Sequence, residues 1–156
     1  MATDQTIKTF KEAPPGVRVV QAFSKQQAYC EGNFDQVHTV PAGSWVDLGI
    51  EWDAIDTATV EATWPYLTIA ISVDDEEIGN PKQHSKGPYK AVLQCSNETH
   101  VGYAMANALY APPLSIGEHK VVWTVGFARD INDGWSTYPK GTVVVATSTL
   151  RVAESS

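Results

Sequence analysis

Apolar and polar residues alternate with a period of two along most of this chain, which is the pattern of β-strands with one buried face. In the clearest segment, 45–52, the residues of the apolar face are Val46, Leu48, Ile50 and Trp52. Asp47 and Glu51 occupy the other face of the same segment. The pattern therefore predicts one continuous strand from Trp45 to Trp52.

The same alternation predicts further strands along the rest of the chain. They cover the segments 17–23, 36–40, 57–64, 67–73, 89–95, 101–109, 121–127 and 144–152. In 57–64 the inward residues are Ala58, Val60, Ala62 and Trp64. Apolar residues do not repeat at helical spacing over three turns anywhere, so we expect helix only as a short embellishment. Trp52, Trp64 and Trp123 all have the inward parity and are predicted core residues.

Turns rich in glycine and proline separate the predicted strands, and two longer polar segments, 74–88 and 128–140, read as loops. Short strands at this spacing predict an all-β fold, a single antiparallel β-sandwich, immunoglobulin-like or jelly-roll-like, of about 8–10 strands. A chain of 156 residues, 43% of them hydrophobic, suits one domain with a real core. We assign residues 17–156 to the β-sandwich domain.

The segment 1–16 is polar and ends in Pro14-Pro15-Gly16. Only Phe10 could anchor it to a core, so we expect a flexible N-terminal tail or linker. The segment lacks the apolar stretch of a secretory signal. Either the chain is cytoplasmic, or it is extracellular or at the cell surface after removal of a signal.

Charge narrows the range of partners. Eighteen acidic residues against eleven basic ones give a formal net charge of −7. Binding to nucleic acid or to an anionic membrane relies on clustered lysine and arginine, so we expect no nucleic acid partner. No apolar run reaches the roughly 20 residues that a membrane-spanning helix needs, so we expect no membrane insertion.

Sequence motifs for catalysis are missing: the chain has no nucleophile elbow, no zinc-protease motif and no phosphate-binding loop. Asp47 and Glu51 would lie on one strand face and could act as an acid and base pair, although such carboxylates usually serve solubility. A small lyase or cyclase would need polar residues such as His100, Tyr103 and Asn107 to line an interior cavity. The absence of motifs favours a chain that is not an enzyme.

Acidic turns offer oxygen ligands of the kind that calcium prefers. Asp130, Asn132 and Asp133 crowd one turn, and Asp74 to Glu77 crowd another. The first turn lacks the remaining ligands of a complete calcium loop, and an Asp/Asn/Gly turn is favourable without an ion. Calcium is therefore a possible cofactor at 130–133, and a plain turn is the alternative.

Aromatic residues outside the predicted core could form a ligand platform. Trp45 has the polar parity of its strand, and Trp135 and Tyr138 lie in the second long loop. Exposed rings of this kind stack on sugars, so these three residues, with Tyr66 and Tyr110 at strand ends, are the candidates for a carbohydrate-binding surface. The alternative is that the loop aromatics cap the open end of the sandwich.

The C-terminal third resembles a known class of module. Pro113 to Val121, Trp123-Thr124-Val125, Asp133-Gly134-Trp135 and Tyr138 to Thr142 look like the last hairpin of immunoglobulin-like β-sandwich modules of bacterial secreted and surface proteins. The resemblance rests on turn chemistry and implies a non-catalytic interaction or structural module outside the cell.

The cysteines add a second, incomplete similarity. Cys30, Trp45 and Cys95 have nearly the spacing of a variable-type immunoglobulin domain, in which a disulfide crosses a buried tryptophan. This chain has Leu93 where that family has tyrosine, and three strands follow Cys95. A Cys30–Cys95 disulfide of another sandwich and two buried free thiols both stay open.

The leading hypothesis is a non-catalytic extracellular module that acts in protein interaction or structural assembly. The alternatives are a carbohydrate-binding module and a small β-sandwich or β-barrel enzyme. The expected partner is a protein or a polysaccharide, and a homo-oligomer is possible because Val143 to Val145 is a flat apolar run.

Overall fold

The computed structural model describes residues 7–154, and strands dominate it. The elements in chain order are β1 Val19–Gln21, α1 Lys25–Glu31, β2 Asp35–Pro41, β3 Trp45–Asp47, β4 Glu51–Ala54, α2 Thr57–Thr63, a 3₁₀ helix Trp64–Tyr66, β5 Leu67–Val73, β6 Glu76–Glu77, β7 Ser85–Gln94, β8 Thr99–Asn107, β9 Tyr110–Ala111, β10 Gly117–Phe127, β11 Ile131–Asn132, β12 Thr137–Tyr138 and β13 Val143–Ala153. The expected all-β sandwich is confirmed.

The strands form two layers. One layer is a five-stranded sheet with the order β2-β13-β10-β5-β6. The opposing layer consists of two three-stranded sheets, β1-β3-β9 and β4-β8-β7, and β11 and β12 form a small separate pair. Most pairings are antiparallel, but β1 with β3 and β2 with β13 run parallel.

The core between the layers has two parts. One part joins the five-stranded sheet to β1-β3-β9 and is centred on Trp123, Leu48 and Leu150. The other part lies at the end of the same sheet where β5 begins and β10 ends. It joins this end to β4 and α2 through Trp52, Trp64 and Phe127. All three tryptophans with inward parity are buried, as predicted.

The predicted strand 45–52 is wrong, because the chain changes sheets in its middle. Gly49 comes so close to the backbone oxygen of Asn107 that a Cβ at this position would clash. The Asp47 carboxylate accepts the Gly49 N–H (2.8 Å), and the Asn107 side-chain oxygen accepts the Ile50 N–H (2.5 Å). These contacts end β3 and direct β4 into the other three-stranded sheet.

The predicted strand 57–64 is also wrong: residues 57–63 form α2. Asp56 begins the helix by accepting the N–H of Thr59 (2.7 Å), which satisfies a free donor of the first turn. Val60 and Trp64, four residues apart, then share the buried face. The alternating threonines and alanines fit a strand equally well, which explains the error.

The first helix, α1, was not predicted either. Ser24 caps its N-terminus, and Gly32 ends it in a left-handed conformation with φ of 68°. The fully buried Gln36 on β2 holds both ends of the helix through side-chain bonds to the backbone of Ser24 and Asn33. The position of α1 therefore depends on β2.

The assignment of residues 1–16 to a flexible tail stays a prediction, and residues 1–6 lie outside the described residues. Within the described part, Phe10 forms a backbone bridge with Tyr110. Its ring also packs edge-on against Trp45 at 5.6 Å between centroids. Phe10 is thus an anchor, as the sequence indicated for this segment.

Cys30 at the end of α1 and Cys95 after β7 form a disulfide bond. It links α1 to the three-stranded sheet β4-β8-β7 over 65 residues of sequence. Because such a link restricts the unfolded chain, we expect Cys30→Ser with Cys95→Ser to lower the free energy of unfolding by about 2–4 kcal/mol, measured by urea denaturation. Dithiothreitol should destabilise the natural chain and leave the double variant unchanged. Equal stability of the two proteins would contradict this role of the bond.

Candidate functional site

A cluster of ionisable side chains lies where α1 crosses the sheet β4-β8-β7. Glu51 and Asp53, two residues apart, lie on one face of β4, and the strand register places Tyr89 of β7 on the same face, across Ala104 from Asp53. Lys25, the first residue of α1, reaches this face from the helix. The helix and the sheet together therefore assemble the cluster.

The Lys25 ammonium is the centre of the cluster. It pairs with the Glu51 carboxylate and lies 2.5 Å from Asp53 Oδ2. The Tyr89 hydroxyl donates to the other Glu51 oxygen at 2.6 Å. Asp53 Oδ1 is buried and has no hydrogen-bond partner in the described part of the chain.

The surroundings shift the pKa values of the two carboxyl groups in opposite directions. Burial raises the pKa of Asp53, and the neighbouring Glu51 adds to the rise, so that it reaches about 7 despite Lys25. Burial acts the same way on Glu51, but hydrogen bonds from Lys25 and Tyr89 outweigh it and lower the pKa of Glu51. Burial would lower the pKa of Lys25, yet its bonds to Asp53 and Glu51 raise it. At neutral pH Glu51 and Lys25 are charged, and Asp53 titrates.

A cavity of about 420 Å³ lies beside the cluster, between the two layers. Its apolar wall consists mainly of aromatic side chains: Phe23, Phe34, Trp52, Trp64, Trp123, Phe127 and Tyr138. The polar side chains in its lining include Glu51, Lys86, Tyr89 and Asn107. Lys86 and Tyr89 are exposed, so the cavity reaches solvent next to the ionisable cluster.

A second cavity of about 230 Å³ lies on the other side of Lys25. The two cavities share the side chains of Lys25, Tyr29, Trp52 and Tyr138. Asp53 lines only the smaller cavity, and Glu51 lines only the larger one. The ion-paired Lys25 therefore lies at the boundary between them.

The three predicted ligand-binding aromatics have different positions. Trp135 and Tyr138 both line the smaller cavity, and Tyr138 lines the larger one too. Trp45 lies elsewhere, in β3, where Phe10 covers it. The structure therefore brings two of the three together.

The side chains of the predicted metal ligands accept hydrogen bonds from the backbone of their own loop. Asp133 Oδ1 accepts the N–H groups of Trp135 and Ser136, both at 2.7 Å. Asn132 accepts the Gly134 N–H (2.8 Å), and Asp130 accepts the Lys140 N–H (2.7 Å). Among residues 7–154, no group of three or more His, Cys, Asp or Glu side chains could hold a metal ion. Calcium binding at this turn stays a prediction.

Sequence reasoning missed Lys25, Asp53 and Tyr89. It paired Glu51 with Asp47, whereas the chain changes sheets at Gly49 and Glu51 pairs instead with Lys25, next to Asp53. The spacing of Glu51 and Asp53, two residues apart on an alternating segment, was the available signal. His100 and Asn107 line different cavities, and Tyr103 packs in the core with Trp52.

Comparisons with known proteins give only distant neighbours. No family model and no curated protein matches the chain. One similar solved structure is the cysteine protease inhibitor EhICP2 from Entamoeba histolytica, 8% identical over 88% of this chain and 96% of that one, with a TM-score of 0.38. Others are PbICP-C in complex with falcipain-2 (10% identity, 87% and 99% coverage, TM-score 0.37) and Amebosin (13%, 88% and 98%, TM-score 0.32).

These neighbours correct the expected function. EhICP2 is named a cysteine protease inhibitor, and the protein partner of PbICP-C is falcipain-2. The expectation of an extracellular module for protein interaction or structural assembly, with carbohydrate binding as an alternative, is corrected by these names, which point to protease inhibition; the lyase or cyclase alternative stays a prediction. At TM-scores below 0.5 the likeness itself assigns no function to this chain.

The immunoglobulin-like resemblance, the cellular location and a homo-oligomer stay predictions. Among the described residues, no helix is long and apolar enough to cross a membrane.

The ion-paired cluster predicts a pH-dependent effect of Lys25→Met. Without the ammonium, two half-buried carboxyl groups lie next to each other, and the folded-state pKa of both rises. A carboxyl group whose folded pKa is raised stabilises the protein at low pH, and this contribution is lost as the pH rises through the folded pKa. We therefore expect urea denaturation to show a loss of about 2 kcal/mol near pH 8 and a much smaller loss near pH 5.

Lys90→Met is the matched control, because Lys90 is an exposed lysine on the neighbouring strand β7. Its effect should be small at both pH values. A loss for Lys25→Met that does not depend on pH would contradict the account of the cluster.

Proposed function

We propose that the chain binds a small, largely apolar molecule in the larger cavity. The observation that carries the proposal is the cavity itself, about 420 Å³ of space walled largely by aromatic side chains. Ligand sites in proteins are typically concavities of about 300–1,000 Å³ with a mostly apolar lining and a few polar groups. This cavity has that size and composition.

A few polar side chains in the lining, among them Glu51, Tyr89 and Asn107, would give the ligand a direction. Asn107 is 2% exposed and uses its side chain to hold the backbone of Ile50 and Pro81. Glu51 and Tyr89 are fixed by each other and by Lys25. A ligand would place its apolar body against Phe23, Trp123 and Phe127, and its polar end at the Glu51 side.

The walls are held in place before a ligand arrives. Trp123 donates its indole N–H to the Leu48 carbonyl oxygen (2.9 Å), and its ring centroid lies 5.2 Å from that of Phe23. Phe127 and Tyr138 are stacked with 4.9 Å between centroids. A preformed cavity loses less conformational entropy on binding, which favours affinity.

The direct test fills the cavity from β13. Val144 lines it, whereas its neighbour Val145 is 52% exposed on the outer face of the same strand. We expect the neutral fluorophore N-phenyl-1-naphthylamine to bind the natural chain saturably. Val144→Trp should weaken binding at least about tenfold, because the new ring occupies the ligand volume.

Val145→Trp is the control, since it adds the same side chain outside the cavity, and it should bind like the natural chain. Circular dichroism and melting temperature verify that both variants fold. Equal binding by the two tryptophan variants, or no saturable binding by the natural chain, would refute the proposal.

A second candidate is inhibition of a cysteine protease, and a group of loops favours it. The turns 41–44 and 74–75 and the loop 112–116 come together at one end of the five-stranded sheet, because β2, β5, β10 and β13 all end or begin there. Ile116 is 60% exposed at this end. Adjacent loops with an exposed apolar tip could enter the cleft of a protease.

His119 makes the longest of these loops rigid. Its Nδ1 lies 2.6 Å from Asp74 Oδ2, and its Nε2 donates to the Ser115 carbonyl oxygen at 2.7 Å. The ring therefore ties the loop 112–116 to the turn at Asp74. A loop that is already ordered loses less entropy when it binds.

An inhibition assay separates this candidate from the first. If it is correct, the chain slows peptide hydrolysis by falcipain-2 or papain, and Ile116→Asp weakens inhibition at least about tenfold, because a charge is desolvated at the contact. Val92→Asp, at a valine 56% exposed on β7, is the control and should inhibit normally. Full protease activity in excess chain would exclude this candidate.

A further inference from the structure

The smaller cavity combines aromatic walls with carboxylates. Four aromatic side chains line its space of about 230 Å³: Tyr29, Trp52, Trp135 and Tyr138. Asp53 and Asp133 line it too, together with Ser136 and His100. Aromatic rings attract cations through their quadrupole, and a surrounding carboxylate adds to that attraction.

We propose that the smaller cavity is a binding site for an organic ammonium ion, of which a methylated ammonium group is the best fit. Such a cation is apolar on its surface and carries a diffuse positive charge, so it matches a mixed aromatic and acidic lining. The site is separate from the ligand-binding role of the larger cavity, and it can be occupied alone.

Acidic side chains outnumber cationic ones around the smaller cavity, which favours binding of an added cation. Lys25 is the one lysine in its lining, and its ammonium group is shared between Glu51 and Asp53 Oδ2. His100 pairs with Glu98 at 3.0 Å. The carboxyl groups of Glu51, Asp53 and Asp133 therefore outnumber this one ammonium group, and Asp53 Oδ1, unlike the paired Oδ2, is buried without a hydrogen-bond partner in the described residues. An uncompensated buried oxygen creates a negative potential that a cation lowers.

Neighbouring residues fix the position of the Trp135 ring in the cavity wall. The ring packs directly on Gly102 of β8, where a Cβ would lie only 2.6 Å from Trp135 Cη2. Asp133, which is 5% exposed, accepts the backbone N–H groups of Trp135 and Ser136, and the Asp133 carbonyl oxygen accepts the Ile55 N–H at 2.8 Å. The loop is thus fixed to β4, and Trp135 is half-exposed at the edge of the cavity.

Choline and its uncharged analogue 3,3-dimethylbutan-1-ol test the proposal, since they share a shape and differ in charge. In NMR titrations we expect choline to shift the indole N–H signals of Trp52 and Trp135 saturably. The uncharged analogue should bind at least about tenfold more weakly, because it gains no cation–π or carboxylate attraction. Equal binding of the two compounds, or no saturable shift with choline, would overturn the proposal.

Variants locate the site. Trp135→Ala should weaken choline binding at least about tenfold, and Trp135→Phe should restore most of it, because a smaller ring still offers a π face. The control is Val101→Ala, at a half-exposed valine next to Gly102 that points to the opposite face of β8. Unchanged choline binding by Trp135→Ala would place the cation elsewhere and overturn the assignment.

The pH dependence gives an independent readout. Choline affinity should rise between about pH 6 and pH 8, because Asp53 loses its proton in that range and the cation favours the charged form. Asp53→Asn should bind weakly at every pH and abolish the rise. The outcomes for the two cavities are separable: Val144→Trp should weaken N-phenyl-1-naphthylamine binding at least about tenfold and leave choline binding intact. An affinity for choline that falls as the pH rises would contradict the role of Asp53.

Discussion

The candidate site depends on the ion pairs of Lys25 with Glu51 and Asp53, which join α1 to β4. They hold the start of α1 over the face of the sheet β4-β8-β7, and the Cys30–Cys95 bond holds the end of the same helix to β7. With both ends attached, α1 keeps Tyr29 in the lining of both cavities, and the preceding Phe23 lines the larger one, where it packs on Trp123. The constraint has an energetic cost, since two carboxyl groups are half-buried, and it shows in the raised pKa of Asp53.

The two cavities differ because β4 turns its acidic residues to opposite sides of Lys25. Glu51 lines the larger, mainly apolar space, and Asp53 lines the smaller one with Asp133. Tyr29, Trp52 and Tyr138 are common to both, so a ligand in one cavity touches walls of the other. This arrangement suits binding better than it suits the packing of a plain sandwich core, in which such volume would be filled.

The sequence predicted the parts of the fold that depend on local pattern. Trp52, Trp64 and Trp123 are buried as their parity indicated, and the strands 67–73 and 121–127 pair in the five-stranded sheet. It failed where a distant residue decides the structure. Gly49 ends β3 because Asn107 approaches it, and α1 is placed by Gln36. In α2, the alternation of threonine and alanine matched the period-two pattern of a strand, although Val60 and Trp64 have helical spacing. The candidate site joins Lys25 of α1 to Glu51, 26 positions away, and Glu51 to Tyr89 of β7, so beyond the spacing of Glu51 and Asp53 the sequence could not reveal it. Trp135 and Tyr138 could be selected because exposed loop aromatics stand out from the alternation.

A crystal structure of the chain with N-phenyl-1-naphthylamine and choline bound together tests the central claim, that α1 encloses two adjacent cavities of different chemistry. The account predicts the naphthyl ring between the layers against Phe23, Trp123 and Phe127, and the choline ammonium among Trp52, Trp135 and Asp53. Fluorophore or choline bound only on the outer face of the five-stranded sheet, with both cavities closed by their side chains, would contradict it.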